Sequence, residues 1–142
     1  NNIMDKETYR AVKIDAYNNS VEEVRISTNH NDINEHIGSE LFCLGIYLNE
    51  DEEDLDALMV DDEGWLRSED VTRGFVFDGR VFAGNGLVVG ADDEGDTDHA
   101  MASVKKIKKR VQFMPKGLTI SEELREKILG SSVIVSWSGE EK

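Results

Sequence analysis

The chain of 142 residues contains one cysteine, one proline and only 7% aromatic residues. The lone cysteine, Cys43, cannot form an internal disulfide, so we expect a reducing compartment, the cytoplasm. No proline-rich or Gly/Ser-rich tract marks a linker, which predicts a single domain over residues 1–142 with flexible ends at 1–8 and 138–142. No apolar run approaches the roughly 18 residues of a membrane span, and the N-terminus lacks the basic and apolar regions of a signal peptide.

Basic residues are scarce. Lysine and arginine number 16 against 30 aspartates and glutamates, which gives a net charge of −14 and an isoelectric point near 4.5. Bulk charge of this sign argues against wrapping DNA, RNA or an anionic membrane. We therefore expect cationic or neutral partners, with no direct nucleic-acid or membrane contact. Hydrophobic residues make up 39% of the chain, which is enough to bury a core.

Apolar periodicity predicts a β-hairpin near the N-terminus. Residues 9–16 and 21–27 alternate between apolar and polar side chains, and Asn18-Asn19 between them tolerates the left-handed backbone of a tight turn. Thr28, Asn29 and Asn31 are then candidate helix N-caps, and Ile33 and Ile37 followed by Gly38 predict a short helix of about two turns that ends at the glycine.

The middle of the chain has the pattern of a sheet. Residues 41–48 form a near-continuous apolar run that suits a strand buried on both faces. Asp78-Gly79 and Asn85-Gly86 are hairpin-type dipeptides. Strands outnumber helices, and connections are too short for helical crossovers, so we predict an α+β fold, mainly antiparallel sheet with two or three short helices. The further predicted elements are strands at 55–60, 65–66, 75–77, 81–82 and 87–89, a helix and then a strand within 99–114, a helix at 119–130 and a strand at 133–135.

Three glycines, Gly84, Gly86 and Gly90, partly match a dinucleotide-binding fingerprint. The third glycine comes one residue late, and residues 87–89 have the pattern of a strand where the pyrophosphate needs a helix N-terminus. We interpret the glycines as turns leading into a buried strand. A small-molecule or nucleotide pocket beside 84–90 is the alternative. Its candidate stacking and phosphate-contacting residues are Phe75, Phe77, Phe82, Arg73, Arg80 and 105–110.

Catalytic and metal-binding patterns are weak. Five carboxylates lie within residues 92–98, but Thr97 and Ser103 stand where a calcium-binding EF-hand needs glycine and glutamate. We assign no catalytic residue, no metal and no cofactor, and interpret Cys43 as a buried, inert thiol. An enzyme ranks third among the hypotheses. Its form would be metal-assisted hydrolysis by Asp92, Asp93, Asp96 and His99.

The strongest anomaly is the placement of the acidic residues. Eleven of them lie between positions 50 and 70, against the single basic residue Arg67, and a second group lies at 92–98. Glu69 and Asp70 end the first group. The candidate partner-binding residues are Glu50, Asp51, Glu52, Glu53, Asp54, Asp56, Asp61, Asp62, Glu63, Asp92, Asp93, Glu94 and Asp96.

These charge blocks have two interpretations. They are either solvated faces that keep a small protein soluble or a copy of a nucleic-acid backbone. The spacing of the charges fits the second interpretation. Carboxylates two residues apart on a strand, or three to four residues apart on a helix, lie about 5 to 7 Å from each other, a distance comparable with that between successive phosphates. Five of the 16 basic residues lie at 105–110, where they either pair internally or form a second contact face.

The segment 86–96, Gly-Leu-Val-Val-Gly-Ala-Asp-Asp-Glu-Gly-Asp, closes a pattern that includes 20–24, the short helix 33–38 and the apolar strand 55–60. Over roughly residues 9–98, this pattern resembles a family of small proteins of unknown function from bacteriophages, prophages and mobile elements. The resemblance brings no active site. It implies a phage or mobile-element setting, hence the cytoplasm of a host cell, in which small acidic proteins often block host defences.

Two functions follow as hypotheses. The first is a non-enzymatic binding protein that occupies the basic, nucleic-acid-binding surface of a host defence protein by nucleic-acid mimicry. The second is a module that sequesters a small molecule or nucleotide. A homodimer is a further expectation, because strands at 75–77, 81–82 and 133–137 leave sheet edges open and Trp137 would anchor a contact that strengthens with salt.

Overall fold

The computed structural model describes residues 8–27, 29–39, 42–48, 55–61, 73–92, 94 and 96–114. Within them, every strand pairing is antiparallel and two short helices are present, in agreement with the α+β prediction. Neither of these two helices has the length and apolar character needed to cross a membrane. The elements are β1 (Thr8–Asp15), β2 (Ser20–Ser27), α1 (His30–Ile37), β3 (Phe42–Tyr47), β4 (Leu55–Asp61), β5 (Gly74–Phe77), β6 (Arg80–Ala83), β7 (Gly86–Ala91), β8 (Thr97–Asp98), α2 (Val104–Arg110) and β9 (Val111–Phe113).

Strands β1 and β2 form the predicted hairpin. They pair along their full lengths, and Asn18-Asn19 lie in the turn between them. Asn19 has a φ of 53°, the left-handed conformation that asparagine tolerates well. Asp15 holds the turn together, because its carboxylate accepts hydrogen bonds from the backbone N–H groups of Tyr17 and Asn18 and from the Asn18 side chain.

The pKa of Asp15 predicts a pH dependence of stability. Burial acts to raise this pKa, but the hydrogen bonds from Asn18 and Tyr17, together with the charge of Lys13, lower it below its ordinary value. Ionised Asp15 therefore stabilises the fold fully above the pKa of an unfolded aspartate, about 4, and this contribution disappears as pH falls through the lowered folded pKa. We expect Asp15→Asn to be less stable than the wild type at neutral pH and the difference to shrink in acid. Urea unfolding across this pH range measures it, and a difference that is constant with pH would contradict it.

The larger sheet has the strand order β2-β1-β7-β4-β3, and β8 pairs with the end of β7. The prediction that residues 41–48 form a strand buried on both faces is wrong. β3 is last in this order, and its Leu44 and Tyr47 are 43% and 42% exposed. An apolar run gives the hydrophobicity of a strand but not its place in the strand order. The two-residue β8 was not predicted because it is too short to carry a periodicity.

Helix α1 covers one face of the larger sheet. Ile33 and Ile37 are buried against apolar side chains of β1, β2, β4 and β7. The helix begins after Asn29, which caps it through its side chain, and ends at Gly38, whose φ of 81° is left-handed. The predicted short helix is therefore confirmed, with Asn29 of the three candidate residues as its N-cap.

A three-stranded sheet of order β6-β5-β9 packs on the opposite face. Phe75 and Phe77 of β5 are fully buried in the core cluster that also contains side chains of β1, β4 and β7. The predicted Asp78-Gly79 turn joins β5 to β6. The prediction that 75–77 offers an open edge for dimerisation is wrong, because β5 has a neighbouring strand on each side.

The Asn85-Gly86 dipeptide does not form the predicted hairpin. The strands on either side of it, β6 and β7, belong to different sheets. Asn85 is buried, its side-chain oxygen accepts the N–H of Ala16 at 2.8 Å, and its amide donates to the carbonyl of His36 at 3.4 Å. These bonds fix the point where the chain passes from the small sheet to the large one.

Residues 99–114 contain a helix followed by a strand, as predicted. Ser103 caps α2 by accepting the N–H of Lys106, Ile107 is fully buried, and β9 pairs with β5. The remaining predictions fall outside the described residues. They are the strands 65–66 and 133–135, the helix 119–130, Trp137 and the flexible ends other than Thr8.

Candidate functional site

Asp56 interrupts the predicted acidic surface, because its side chain lies in the core. Asp56 is 0% exposed. Its two carboxylate oxygens accept hydrogen bonds from the backbone N–H groups of Met101, at 2.9 Å, and Ala102, at 2.8 Å. A carboxylate buried and engaged in this way is not available to a partner, so the prediction that Asp56 binds one is wrong.

Strand β4 divides the rest of the acidic stretch into two parts. Residues 50–54 precede β4 in the sequence, whereas Asp61 is the last residue of β4, about 20 Å from Leu55 by strand rise. Asp61 ends β4 and is half-buried. The residues of this stretch that fall outside the described part of the chain are Glu50, Asp51, Glu52, Glu53, Asp54, Asp62, Glu63, Glu69 and Asp70.

The pairing of β4 with β7 places the start of β4 beside the end of β7. Leu55, the first residue of β4, lies opposite Ala91, the last residue of β7, and Asp92 follows Ala91 directly. In the sequence, the acidic residues 50–54 directly precede Leu55. We call the turn 92–96, of which the structure describes Asp92, Glu94 and Asp96, the acidic end of the sheet.

Asp92 organises the turn of the acidic end. Its N–H donates to the carbonyl of Asp96, and its Oδ1 accepts the N–H groups of Glu94 and Asp96, each at 2.9 Å. Glu94 and Asp96 are exposed, and neither forms an ion pair with another described residue. Asp92 thus shapes the turn, whereas Glu94 and Asp96 present their charge to solvent. Asp93 lies outside the described residues.

The acidic turn does not form a metal centre with its described neighbours. Among the described residues, no three His, Cys, Asp or Glu side chains are grouped so as to hold a metal ion. His99, proposed with the acidic turn for metal-assisted hydrolysis, accepts the N–H of Arg10 at its Nδ1, at 2.9 Å. Cys43, predicted to be buried, is only half-buried, on β3.

Arg10 and Asp56 hold the segment 99–102 against the larger sheet. Arg10 donates through Nη1 to the carbonyl oxygens of Ala100, at 2.7 Å, and Ala102, at 2.9 Å. Asp56 accepts N–H groups of the same segment. The guanidinium of Arg10 therefore binds carbonyl oxygens of the segment 99–102, while the carboxylate of Asp56 binds its N–H groups. We call Arg10 and Asp56 the clamp.

Sequence reasoning missed the clamp, although one signal of it was present. Asp56 is a lone charge within the otherwise apolar run 55–60. A charge at a core position is retained only when it is paired or hydrogen-bonded. The identity of its partners, more than forty residues away in the chain, has no local signal.

Helix α2 carries a basic surface. Lys105, Lys106, Lys108 and Lys109 are all exposed, whereas Ile107 between them is buried. None of these four lysines is in an ion pair with a described residue. The last helical residue, Arg110, does have a partner among the described residues: it binds the carboxylate of Asp78 and lies over the ring of Phe77. We call the four lysines the basic face of α2.

The space proposed for a pocket is filled by protein atoms beside Gly86 and Gly90, whereas a Cβ at Gly84 would meet nothing within 4 Å. A Cβ at Gly86 would lie 2.7 Å from the ring of Phe75, and one at Gly90 would lie 2.1 Å from the carbonyl oxygen of His99. The buried rings of Phe75 and Phe77 belong to the core and are not free to stack on a ligand. Arg73, proposed to contact phosphate, instead donates to the carbonyl of Ala16 and the side chain of Asn19.

An open groove of about 440 Å³ lies elsewhere, between β3 and the β5–β6 turn. Tyr47 and Arg80, on its two sides, are both exposed. The groove is lined by Leu44, Gly45, Ile46, Tyr47, Asp78 and Arg80.

Comparison of the chain with protein-family models, with curated proteins and with solved structures found no match. The resemblance to a phage and mobile-element family therefore stays a prediction.

Proposed function

We propose that this protein is a non-enzymatic binding protein that uses its acidic end to occupy a basic, nucleic-acid-binding surface of another protein. The phage or mobile-element setting suggested by the sequence would make that partner a defence protein in the host cytoplasm. The observation that carries the proposal is the acidic turn that follows β7, in which Asp92 holds the backbone while the carboxylates of Glu94 and Asp96 are exposed.

The composition of the sequence supports this role. Segment 50–54 contains five acidic residues in succession, and the turn adds four more in five positions. Basic surfaces that bind nucleic acids gain most of their affinity from neutralising closely spaced negative charges. A dense run of carboxylates satisfies the same requirement without bases or sugars. The hydrogen bonds that Asp92 accepts hold the backbone of the turn in place before binding, which lowers the conformational entropy lost on binding.

The geometry favours binding through this surface over the sequestering pocket. The space beside Gly86 is occupied by Phe75 and Leu58, and the space beside Gly90 by the backbone of Asp98 and His99. Of the acidic residues proposed for hydrolysis that the structure describes, Asp96 is exposed and Asp92 shapes the turn. A binding role requires an exposed, charged surface of defined shape, and the turn with exposed Glu94 and Asp96 provides one.

A charge-reversal experiment tests the proposal. The wild type and the double variant Glu94→Lys/Asp96→Lys are immobilised and exposed to a bacterial lysate at low and high salt, and retained proteins are identified by mass spectrometry. We expect the wild type to retain a nucleic-acid-processing protein at low salt and to release it as salt screens the contact. The double variant should lose about tenfold or more in affinity for it, because two attractive charges become repulsive.

The matched control is Glu22→Lys/Glu35→Lys. It makes the same change in net charge at two exposed positions outside the acidic end, on β2 and α1. If the acidic end is the binding site, this control should bind the partner nearly as well as the wild type does. Equal losses in both variants, or recovery of no nucleic-acid-processing protein at low salt, would contradict the proposal.

A further inference from the structure

Helix α2 presents four positive charges on one side. Successive residues of an α-helix are rotated by about 100°, so the residues away from buried Ile107 are those of the basic face, Lys105, Lys106, Lys108 and Lys109. All four lysines are exposed. The helix is only about 10 Å long, so the four charges share a small patch.

This arrangement is electrostatically unfavourable within the molecule. Lys105 stands three and four positions before Lys108 and Lys109, and like charges at these spacings repel each other on a helix. Lys105 and Lys106 also lie in the first turn, where the helix dipole favours acidic side chains, and that turn contains none. An anion from another molecule that binds the lysines would offset both effects.

Two acidic side chains next to α2 are already bound by arginines. Glu23 lies on β2, against which α2 packs, and its carboxylate accepts from Arg10 at 2.9 Å. The carboxylate of Asp78 binds Arg110, the last residue of the helix. No ion pair joins any of the four lysines to another residue that the structure describes. The basic face therefore keeps its positive charge for a ligand from outside.

The side chains of the basic face favour the phosphate backbone of a nucleic acid as that ligand. Lysines three and four positions apart on a helix stand about 5 to 6 Å from each other, a distance comparable with that between successive phosphates. The exposed side chains of α2 are all lysines. They include neither the apolar residues that anchor a helix at a lipid surface nor the aromatic rings that stack on bases. Contacts to phosphate alone carry no sequence information.

The net charge of −14 opposes the approach of any polyanion, and of a second copy of this chain equally. Salt reduces this repulsion, because exposed charges farther apart than about 8 Å are largely screened at about 0.15 M. Direct contacts between lysine and phosphate are much shorter than this distance and are screened less. Duplex DNA also carries one negative charge per about 1.7 Å of its axis, so several phosphates lie within the span of the basic face. The expected contact is weak and local.

We propose that the basic face of α2 binds the phosphate backbone of a nucleic acid without sequence preference. This departs from the expectation of no direct nucleic-acid contact, which follows from the net charge and not from where the charges lie. The binding uses the lysines and not the acidic end, so it does not depend on the proposed function. If both hold, one molecule binds protein through the acidic end and nucleic acid through α2.

Titration of the isotope-labelled protein with a short DNA duplex, followed by NMR, tests the proposal. At about 0.1 M salt we expect the amide signals of residues 104–110 to shift, with a Kd on the order of 10⁻⁴ M. Four phosphate contacts predict that log K falls with log salt with a slope of about −4 at most. The variant Lys105→Gln/Lys109→Gln should bind about tenfold more weakly and show about half of that slope. A duplex of scrambled sequence should bind the wild type equally well.

The matched control is Lys13→Gln/Arg80→Gln, which makes the same change in net charge on β1 and β6. It should bind the duplex nearly as the wild type does, and circular dichroism verifies that both variants are folded. Unchanged α2 signals, equal losses in both variants, or a preference for one duplex sequence would overturn the proposal. Tighter binding to phosphatidylserine vesicles or to polyglutamate than to DNA, lost in Lys105→Gln/Lys109→Gln, would overturn it in favour of a lipid or an acidic protein. The lysine variant keeps the acidic end, so its capture of a basic partner reports on the proposed function separately.

Discussion

Replacing Asp56 with alanine is expected to lower the free energy of unfolding by about 3 kcal/mol, because it leaves two N–H groups of the segment 99–102 without their acceptors. Asp56 is 0% exposed and accepts from Met101 and Ala102 at 2.8 to 3.1 Å. Water cannot replace a buried acceptor without opening the core. Denaturant unfolding followed by tryptophan fluorescence or circular dichroism measures the difference from the wild type.

Two further substitutions make the Asp56 experiment specific. Asp56→Asn keeps one acceptor oxygen but places an amide donor against a backbone donor. Its free energy of unfolding should therefore lie between those of the wild type and Asp56→Ala. Asp96→Ala removes an exposed carboxylate and should change stability by no more than about 0.5 kcal/mol. If Asp56→Ala and Asp96→Ala unfolded at the same denaturant concentration, the buried role of Asp56 would be refuted.

The same residue illustrates which parts of the fold were accessible from sequence. Local patterns specified the β1–β2 hairpin, α1 with its terminal Gly38, and α2 followed by β9, since turn and cap residues act within a few positions. The sequence pattern also assigned Asp56 to a strand correctly. It gave no means to decide that this strand lies between β7 and β3, where both faces are covered. The prediction that Asp56 belongs to an acidic surface is therefore wrong, because the burial of Asp56 depends on the strand order and local sequence does not reveal that order.

The sequence predicted which residues belong to the candidate site but not where they lie in the fold. Both acidic segments were recognised as unusual from their charge alone. The pairing of Leu55, which follows the first segment in the sequence, with Ala91, which precedes the second, is a long-range contact with no local signature. The basic run at 105–110 had two open interpretations, internal pairing or a second contact face. Four of its five charges, the lysines, are exposed and form no ion pair with another residue of the described part of the chain, which favours the second interpretation for them.

Replacing Gly90 with alanine is expected to be the most damaging of the glycine substitutions considered for β7. The added Cβ would lie 2.1 Å from the carbonyl oxygen of His99 and 2.7 Å from its carbonyl carbon, so backbone must move. Moving the segment 99–102 also weakens its bonds to Arg10 and Asp56. We expect a loss of about 3 kcal/mol or more in the free energy of unfolding, measured by denaturant unfolding.

The control for Gly90→Ala is Gly86→Ala, on the same strand. Its nearest contacts would be side-chain atoms of Phe75 and Leu58, at 2.7 and 2.9 Å, which can shift by small rotations, so its cost should be smaller. The double variant Gly90→Ala/Asp56→Ala gives the sharper test. Each change releases the same segment, so the second should cost less in the presence of the first than alone. Strictly additive losses would mean that Gly90 and Asp56 act independently, and that the segment 99–102 is not held as one unit.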